Sequence, residues 1–227
     1  MDNKYSYSYE RTADYCYPDS DVLINKLNIK TDKELFIAER EFVSFRVAIM
    51  LDNPIKGNLD FEHLKMIHKF LFQDVFVWAG KIRTCNIAKT NLFCLAQFID
   101  SYAKNVFAQI PKNNYFLDMT YEKKIEALAN LFADINALHP FREGNGRTQR
   151  EFIKQLAKIN GVIFDFTQVD EKEMIIASSE STAGDMKKML EMFKRIASTI
   201  SKEEQLKSVD DYIKTKKLAA MLISTIR

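Results

Sequence analysis

Apolar residues recur at spacings of three and four along most of the chain, the period of helices lying on a core. Thr31 and Glu34 form a capping-box pair in "TDKEL". A long helix is predicted from there to Asn53-Pro54, with Leu35, Ala38, Phe42, Phe45 and Ile49 as its apolar stripe. Asp60 is placed to cap a second helix, "FEHLKMIHKFLF", whose Leu64, Ile67 and Leu71 share a face. A third covers about residues 97–110. A fourth, "YEKKIEALANLFADINAL", carries Ile125, Leu128, Leu131, Phe132, Ile135 and Leu138. A fifth runs to Asn160, where Gly161 offers the left-handed stop that helices favour. Helices near 170–178 and 185–199 follow, then the charged stretch "SKEEQLKSVDDYIKTKK" and a last short amphipathic piece. Only "KIRTCNIAKTNLFCL", residues 81–95, breaks the helical period. Its β-branched and aromatic residues around "KTN" predict a β-hairpin or flap. The fold class read from this pattern is all-α, a helical body with one short β-hairpin. One domain is expected over 1–200, with 201–227 as a charged helical appendage.

Composition narrows the partners. The 227 residues are long enough to bury a substantial core, and 47% hydrophobic with 28% charged is ordinary for a globular chain. A formal net charge of +2 is too mild to argue for nucleic acid or a membrane surface as partner. The opening "MDNKYSYSYERTADY" has neither a basic start nor an apolar segment, and no apolar run reaches the ~18 residues that span a bilayer. Cys16, Cys85 and Cys94 show no metal-ligand spacing and are read as reduced thiols. With the missing leader, this gives a cytoplasmic expectation, export without a cleavable signal aside.

The candidate chemistry lies in "HPFREGNGRTQR", residues 139–150. Two of the six glycines of a glycine-poor chain fall there. Pro140 disfavours helix at His139, so the fourth helix ends there and the fifth starts after a tight loop. Helix N-termini expose amides and a positive dipole, and glycines let those amides approach a phosphate closely. Arg147 and Arg150 share a helical face and can grip oxyanions with forked donors. Glu143 suits a hard cation, and His139 is the natural proton acceptor. Each element alone has a bland reading, and His63 and His68 are read as structural. The cluster together points to a catalytic phosphate site.

The stretch also resembles the Fic-family signature HPFx(D/E)GNGRxxR at every fixed position. "YCYPDSDVLINKLNI", "FQDVFVWAGKIR" and "AGDMKKMLEMF" are similar to Fic-domain sequence as well. The resemblance therefore covers roughly 15–198, and the N-terminal part looks like the branch that holds effectors and toxins. The resemblance implies an all-α fold with a flap, and transfer of AMP from ATP, with Mg²⁺, to a Tyr, Thr or Ser hydroxyl of a target protein. By the same resemblance, His139 would deprotonate that hydroxyl and Phe141 would anchor the loop in the core. Glu143 would hold Mg²⁺, and Gly144, Asn145 and Gly146 would form the anion hole. Arg147 would meet the β-phosphate and Arg150 the γ-phosphate. Asn136 would face the nucleotide, and Ile87, Ala88, Lys89 and Thr90 would clamp the target backbone by strand addition.

Many relatives carry an inhibitory helix of pattern (S/T)xxxE(G/N). The chain offers Ser6–Glu10, Thr167–Glu171 and Thr199–Glu203, none followed by Gly or Asn, and Thr199–Glu203 comes nearest by position. The expectation is therefore a separate small antitoxin that supplies a glutamate against Arg150. The alternatives are transfer of UMP, phosphate or phosphocholine, a non-enzymatic docking module, and a metallonuclease. The intact GNGR segment disfavours the kinase-like case, and the scarcity of clustered basic residues disfavours the nuclease.

Overall fold

The structure, a computed structural model, describes residues 8–9, 15–88 and 92–227. Helix starts fall where side chains satisfy otherwise unpaired amides. Thr31 accepts from the Glu34 amide at the head of α1 (Asp32–Asp52), and Asp60 accepts from His63 at α2 (Phe61–Phe72). A single 3₁₀ turn, Ala96–Phe98, leads into α3 (Ile99–Lys112). Thr120 caps α4 (Tyr121–Leu138), and Gly144 begins α5 (Asn145–Ile159). Asp170 caps α6 (Glu171–Thr182), and α7 (Lys187–Ile196) follows. Ser201 and Glu204 form a reciprocal capping box at α8 (Lys202–Tyr212), and α9 (Lys216–Ile226) ends the chain.

The core is built on α4 and α5. Leu128, Ala129, Leu131 and Phe132 from α4 and Phe152, Ile153, Leu156 and Ala157 from α5 are fully enclosed. α2 and α8 pack on α5, and α6 and α7 pack on α4. Val209 and Leu222 bury the C-terminal helices' apolar sides, and Gln205 Nε2 donates to the Ile159 carbonyl at 2.8 Å. The same tail meets the loop before α2, where Gly57 N–H donates to the Tyr212 carbonyl and Lys214 N–H donates back to Gly57.

Three expectations are corrected. The inward line of α1 is Leu35, Glu39, Val43 and Met50, while Phe42 and Phe45 are exposed. Large size made the phenylalanines look like core, but the helix turns the neighbouring line inward and places a carboxylate on it. The 185–199 helix stops at Ile196. Residues Ala197–Thr199 continue as a strand paired antiparallel to Val162–Phe164 (Phe164 opposite Ala197), a second two-stranded sheet that the sequence reading lacked. The β-branched "VIF" after Gly161 was its signal.

The flap has a further pairing. Ile87–Ala88 forms a strand, and Ala88 bridges Leu92 in the return limb. On its other side that strand pairs antiparallel with Ser8–Tyr9, Ser8 opposite Ala88 and Tyr9 opposite Ile87. Two predicted flap residues, Lys89 and Thr90, lie outside the described residues.

Candidate active site

The loop between α4 and α5 is set by two left-handed residues. His139 closes α4 at φ 43°, ψ 60°, its amide donating to the Ile135 carbonyl at 3.0 Å. Gly144 opens α5 at φ 81°. Only glycine fits there: a Cβ would lie 2.2 Å from Cζ of Phe72, far inside contact distance. Asn145 stitches the loop shut, its Oδ1 accepting from the Phe141 amide at 2.9 Å and its Nδ2 donating to the Phe141 carbonyl at 2.7 Å. Phe141 is fully buried and stacks on the His68 ring at 3.8 Å. Burying such a ring favours the closed loop by about 2–3 kcal/mol.

His68 fastens the same loop from α2. Its Nδ1 accepts from the Gly80 amide at 2.8 Å, so the hydrogen sits on Nε2, which donates to the Glu143 carbonyl at 3.0 Å. Burial pushes its pKa from 6.5 down to about 3, so the ring is neutral. His63 is likewise enclosed, with Nε2 on the Ile55 carbonyl at 2.8 Å, and burial lowers its pKa too.

His139 is the third histidine and faces a groove of about 810 Å³. Phe93, from the return limb of the flap, stacks on its ring at 3.7 Å, and Nδ1 donates to the Asn136 carbonyl at 3.3 Å. That bond puts the proton of the neutral ring on Nδ1 and the lone pair on Nε2, the arrangement a general base needs. Arg83 supports the histidine from the other side. It is enclosed, its Nε donates to the His139 carbonyl at 2.8 Å and its Nη1 to the Cys85 carbonyl at 2.6 Å. Nη2 donates to the Cys94 carbonyl, and the Arg83 amide donates to the Pro140 carbonyl. Burial lowers its pKa from an already very high value, so it stays a cation.

Asn136, His139, Glu143, Gly144, Gly146, Arg147 and Arg150 all line this one groove. Arg147 lies over the Phe72 ring at 4.8 Å, donates through Nη2 to Glu39 on α1, and lies 3.6 Å from Glu143. Glu143 Oε1 accepts from the Gly144 amide at 2.8 Å. Arg150 has no hydrogen bond or ion pair among the described residues. Burial first, and then the Arg147 charge, push its pKa down, as expected of a cation awaiting an anion. Helix α6 forms the far wall with Met174, Ile175, Ser178 and Ser179. The Asn145 side chain does not line the groove, because both its polar atoms are spent on the loop. Glu203 is exposed in the first turn of α8 and does not line it either.

Four residues that shape the site escaped the sequence reading: Glu39, His68 in its loop-fastening role, Arg83 and Phe93. Glu39 had a visible signal, an acid spaced four from both Leu35 and Val43. The others depend on pairings distant in the chain.

The helical body gathers a glycine loop, two arginines and a histidine at the N-terminus of its central helix. Residues 58–157 match the Fic/DOC family model. The chain is 38% identical over 189 residues to the protein adenylyltransferase VbhT of Bartonella schoenbuchensis, spanning 82% of this chain and 40% of that one. It is 35% identical to a probable protein adenylyltransferase of Sinorhizobium fredii, covering 75% of this chain and 88% of the relative. With its Escherichia coli counterpart it shares 30%, covering 84% and 94%. The chain thus belongs to the Fic/DOC family. Among solved structures it is similar to BepC of Bartonella tribocorum with bound AMPPNP (TM-score 0.77, 24% identity, 83% of this chain and 98% of that one). It is also similar to the N-terminal Fic domain of a Bartonella quintana Bep effector with bound ADP (0.75, 25%, 82% and 94%). Among the described residues no helix is long and apolar enough to cross a membrane.

Proposed function

We propose that the chain is a protein adenylyltransferase that moves AMP from ATP to a Tyr, Thr or Ser hydroxyl of a target protein and releases pyrophosphate. The observation that carries this reading is the meeting, in one groove, of a histidine with its lone pair on Nε2 and a helix N-terminus bearing Arg147 and Arg150. His139 Nε2 takes the proton of the target hydroxyl. The oxygen forms a bond to the α-phosphorus, and the bond from that phosphorus to the oxygen bridging to the β-phosphate breaks. Pyrophosphate leaves with the bonding pair. Arg147 and the amides at the start of α5 meet the negative charge on the β-phosphate, and Arg150 meets the γ-phosphate. This charge placement asks for positioning rather than a covalent enzyme intermediate.

Glu143 is the residue that would hold Mg²⁺. The Glu143 carboxylate, beside the glycine loop on the groove wall, fits a cation that takes most of its ligands from phosphates and water. When bound, the ion neutralises phosphate charge and supports the leaving group. Ile87, Ala88, Lys89 and Thr90 would receive the target backbone as an added strand. The first two now pair with Ser8–Tyr9, so an incoming strand competes with the chain's own.

Control falls to a separate antitoxin whose glutamate meets Arg150. Support comes from the guanidinium of Arg150, which has no ion pair among the described residues, and from the position of Glu203 outside the groove lining. Three free cysteines, and the use of ATP, fit work in a reducing cytoplasm, at home or after delivery to another cell.

The test supplies ATP labelled at the α- or the γ-phosphate, with Mg²⁺ and a cell lysate. Label moving onto protein from the α position alone, and lost in His139→Ala, is the expected result. Transfer of the γ label would make the enzyme a kinase and overturn the assignment.

A further inference from the structure

Helix α1 places one ionisable side chain on its buried line, Glu39, between Leu35 and Val43. Only 7% of it is exposed, and it ends on Arg147. The pair is unequal in depth: the Glu39 side chain keeps 9% of its surface exposed and that of Arg147 keeps 27%. The carboxylate therefore sits behind the guanidinium and the guanidinium faces the groove. Arg147 has two further neighbours. The Phe72 ring supports its flat face, and Glu143 waits 3.6 Å from the Nη2 that Glu39 engages more closely. Without Glu39, Nη2 has one acidic partner left, and that partner is the carboxylate proposed for the cation. Nε and Nη1 of Arg147 have no partner among the described residues and remain for an oxyanion.

We propose that Glu39 is the positioning residue for Arg147. It anchors the guanidinium from behind, turns its remaining donors toward the β-phosphate, and keeps it off Glu143. Burial of a carboxylate in an apolar line is unfavourable unless a partner compensates, so the arrangement is suited to holding one arginine in one pose. This inference rests on the nucleotide reading above, but it concerns binding, so its test needs no transfer reaction.

The experiment measures ADP and AMP binding to the purified chain by calorimetry, for wild type, Glu39→Gln, Arg147→Ala and the double variant. Glutamine keeps the shape of the side chain and removes its charge. The expected result is a loss in ADP affinity of about tenfold for Glu39→Gln, with AMP affinity unchanged because AMP has no β-phosphate. Arg147→Ala weakens ADP at least as much, and the double variant binds no worse than Arg147→Ala alone. A merely structural role would weaken both nucleotides together. That outcome, or ADP binding by Glu39→Gln equal to or tighter than wild type, or fully additive losses, overturns the proposal. If the wild type binds neither nucleotide, this proposal and the transferase reading fall together. If the ADP pattern holds but no label is transferred, only the transferase reading falls.

Discussion

Acid should unfold this protein partly through His68, and the sign is opposite to that of a histidine held by a carboxylate. The ring stacks on Phe141 and Phe72, and both its nitrogens are committed to backbone groups in the neutral form. Its folded pKa is about 3 against an ordinary 6.5. A depressed imidazole binds its proton more readily in the unfolded chain. The stability it contributes is therefore complete above about pH 6.5 and drains away as pH falls toward 3. Each pH unit in that window removes about 1.4 kcal/mol, so roughly 2.7 kcal/mol is lost between neutral pH and about 4.5, a large part of a domain's 5–15 kcal/mol. His68→Gln replaces the ring with an amide that does not titrate. It is less stable than wild type at pH 7, because stacking and one of the two loop bonds are lost. Urea unfolding at pH 7 and at about pH 4.5 measures the change for each protein. His63, Glu39 and the surface carboxylates act in both proteins and cancel in the difference of differences. The variant should lose about 2–3 kcal/mol less than wild type over that interval. Equal losses in the two proteins would refute the claim that His68 is held neutral.

Gly144→Ala must place a methyl at φ 81° and 2.2 Å from Phe72, which should cost about 2–4 kcal/mol in urea unfolding and lower ADP affinity tenfold or more. Asn145→Ala removes both bonds to Phe141, about 2–3 kcal/mol of loop closure, and steady-state kinetics should show kcat falling more than KM rises. Arg83→Met leaves three carbonyls, two of them in buried bonds, without these donors and should lower stability by about 3–5 kcal/mol in the same unfolding assay. Arg83→Lys, with one small donor head, should recover only part of that loss.

Most of the helical frame was legible because caps and apolar spacing are local properties. Asp60 with Leu64, Ile67 and Leu71 specifies α2 within a dozen residues, and Gly161 ends α5 as read. That His139, Glu143, Arg147 and Arg150 meet in one groove was legible for the same reason, since they lie within residues 139–150. What failed was decided by distant pairing. Nothing local in "AST" at 197–199 says strand until "VIF" at 162–164 lies beside it. Glu39 had only its spacing from Leu35 and Val43 to mark it, and the larger phenylalanines that α1 turns outward masked that signal.

Arg83 gives the molecule a fixed reference point. One guanidinium holds both feet of the flap, Cys85 and Cys94, and the carbonyl of His139. The bonds go to main-chain atoms, so they are indifferent to which side chains the flap carries. The distance from the feet of the flap to His139 is thus set without reference to the side chains at the flap tip. For an engineer, the same feature marks the flap as the segment to randomise, and Arg83 as the residue to leave untouched.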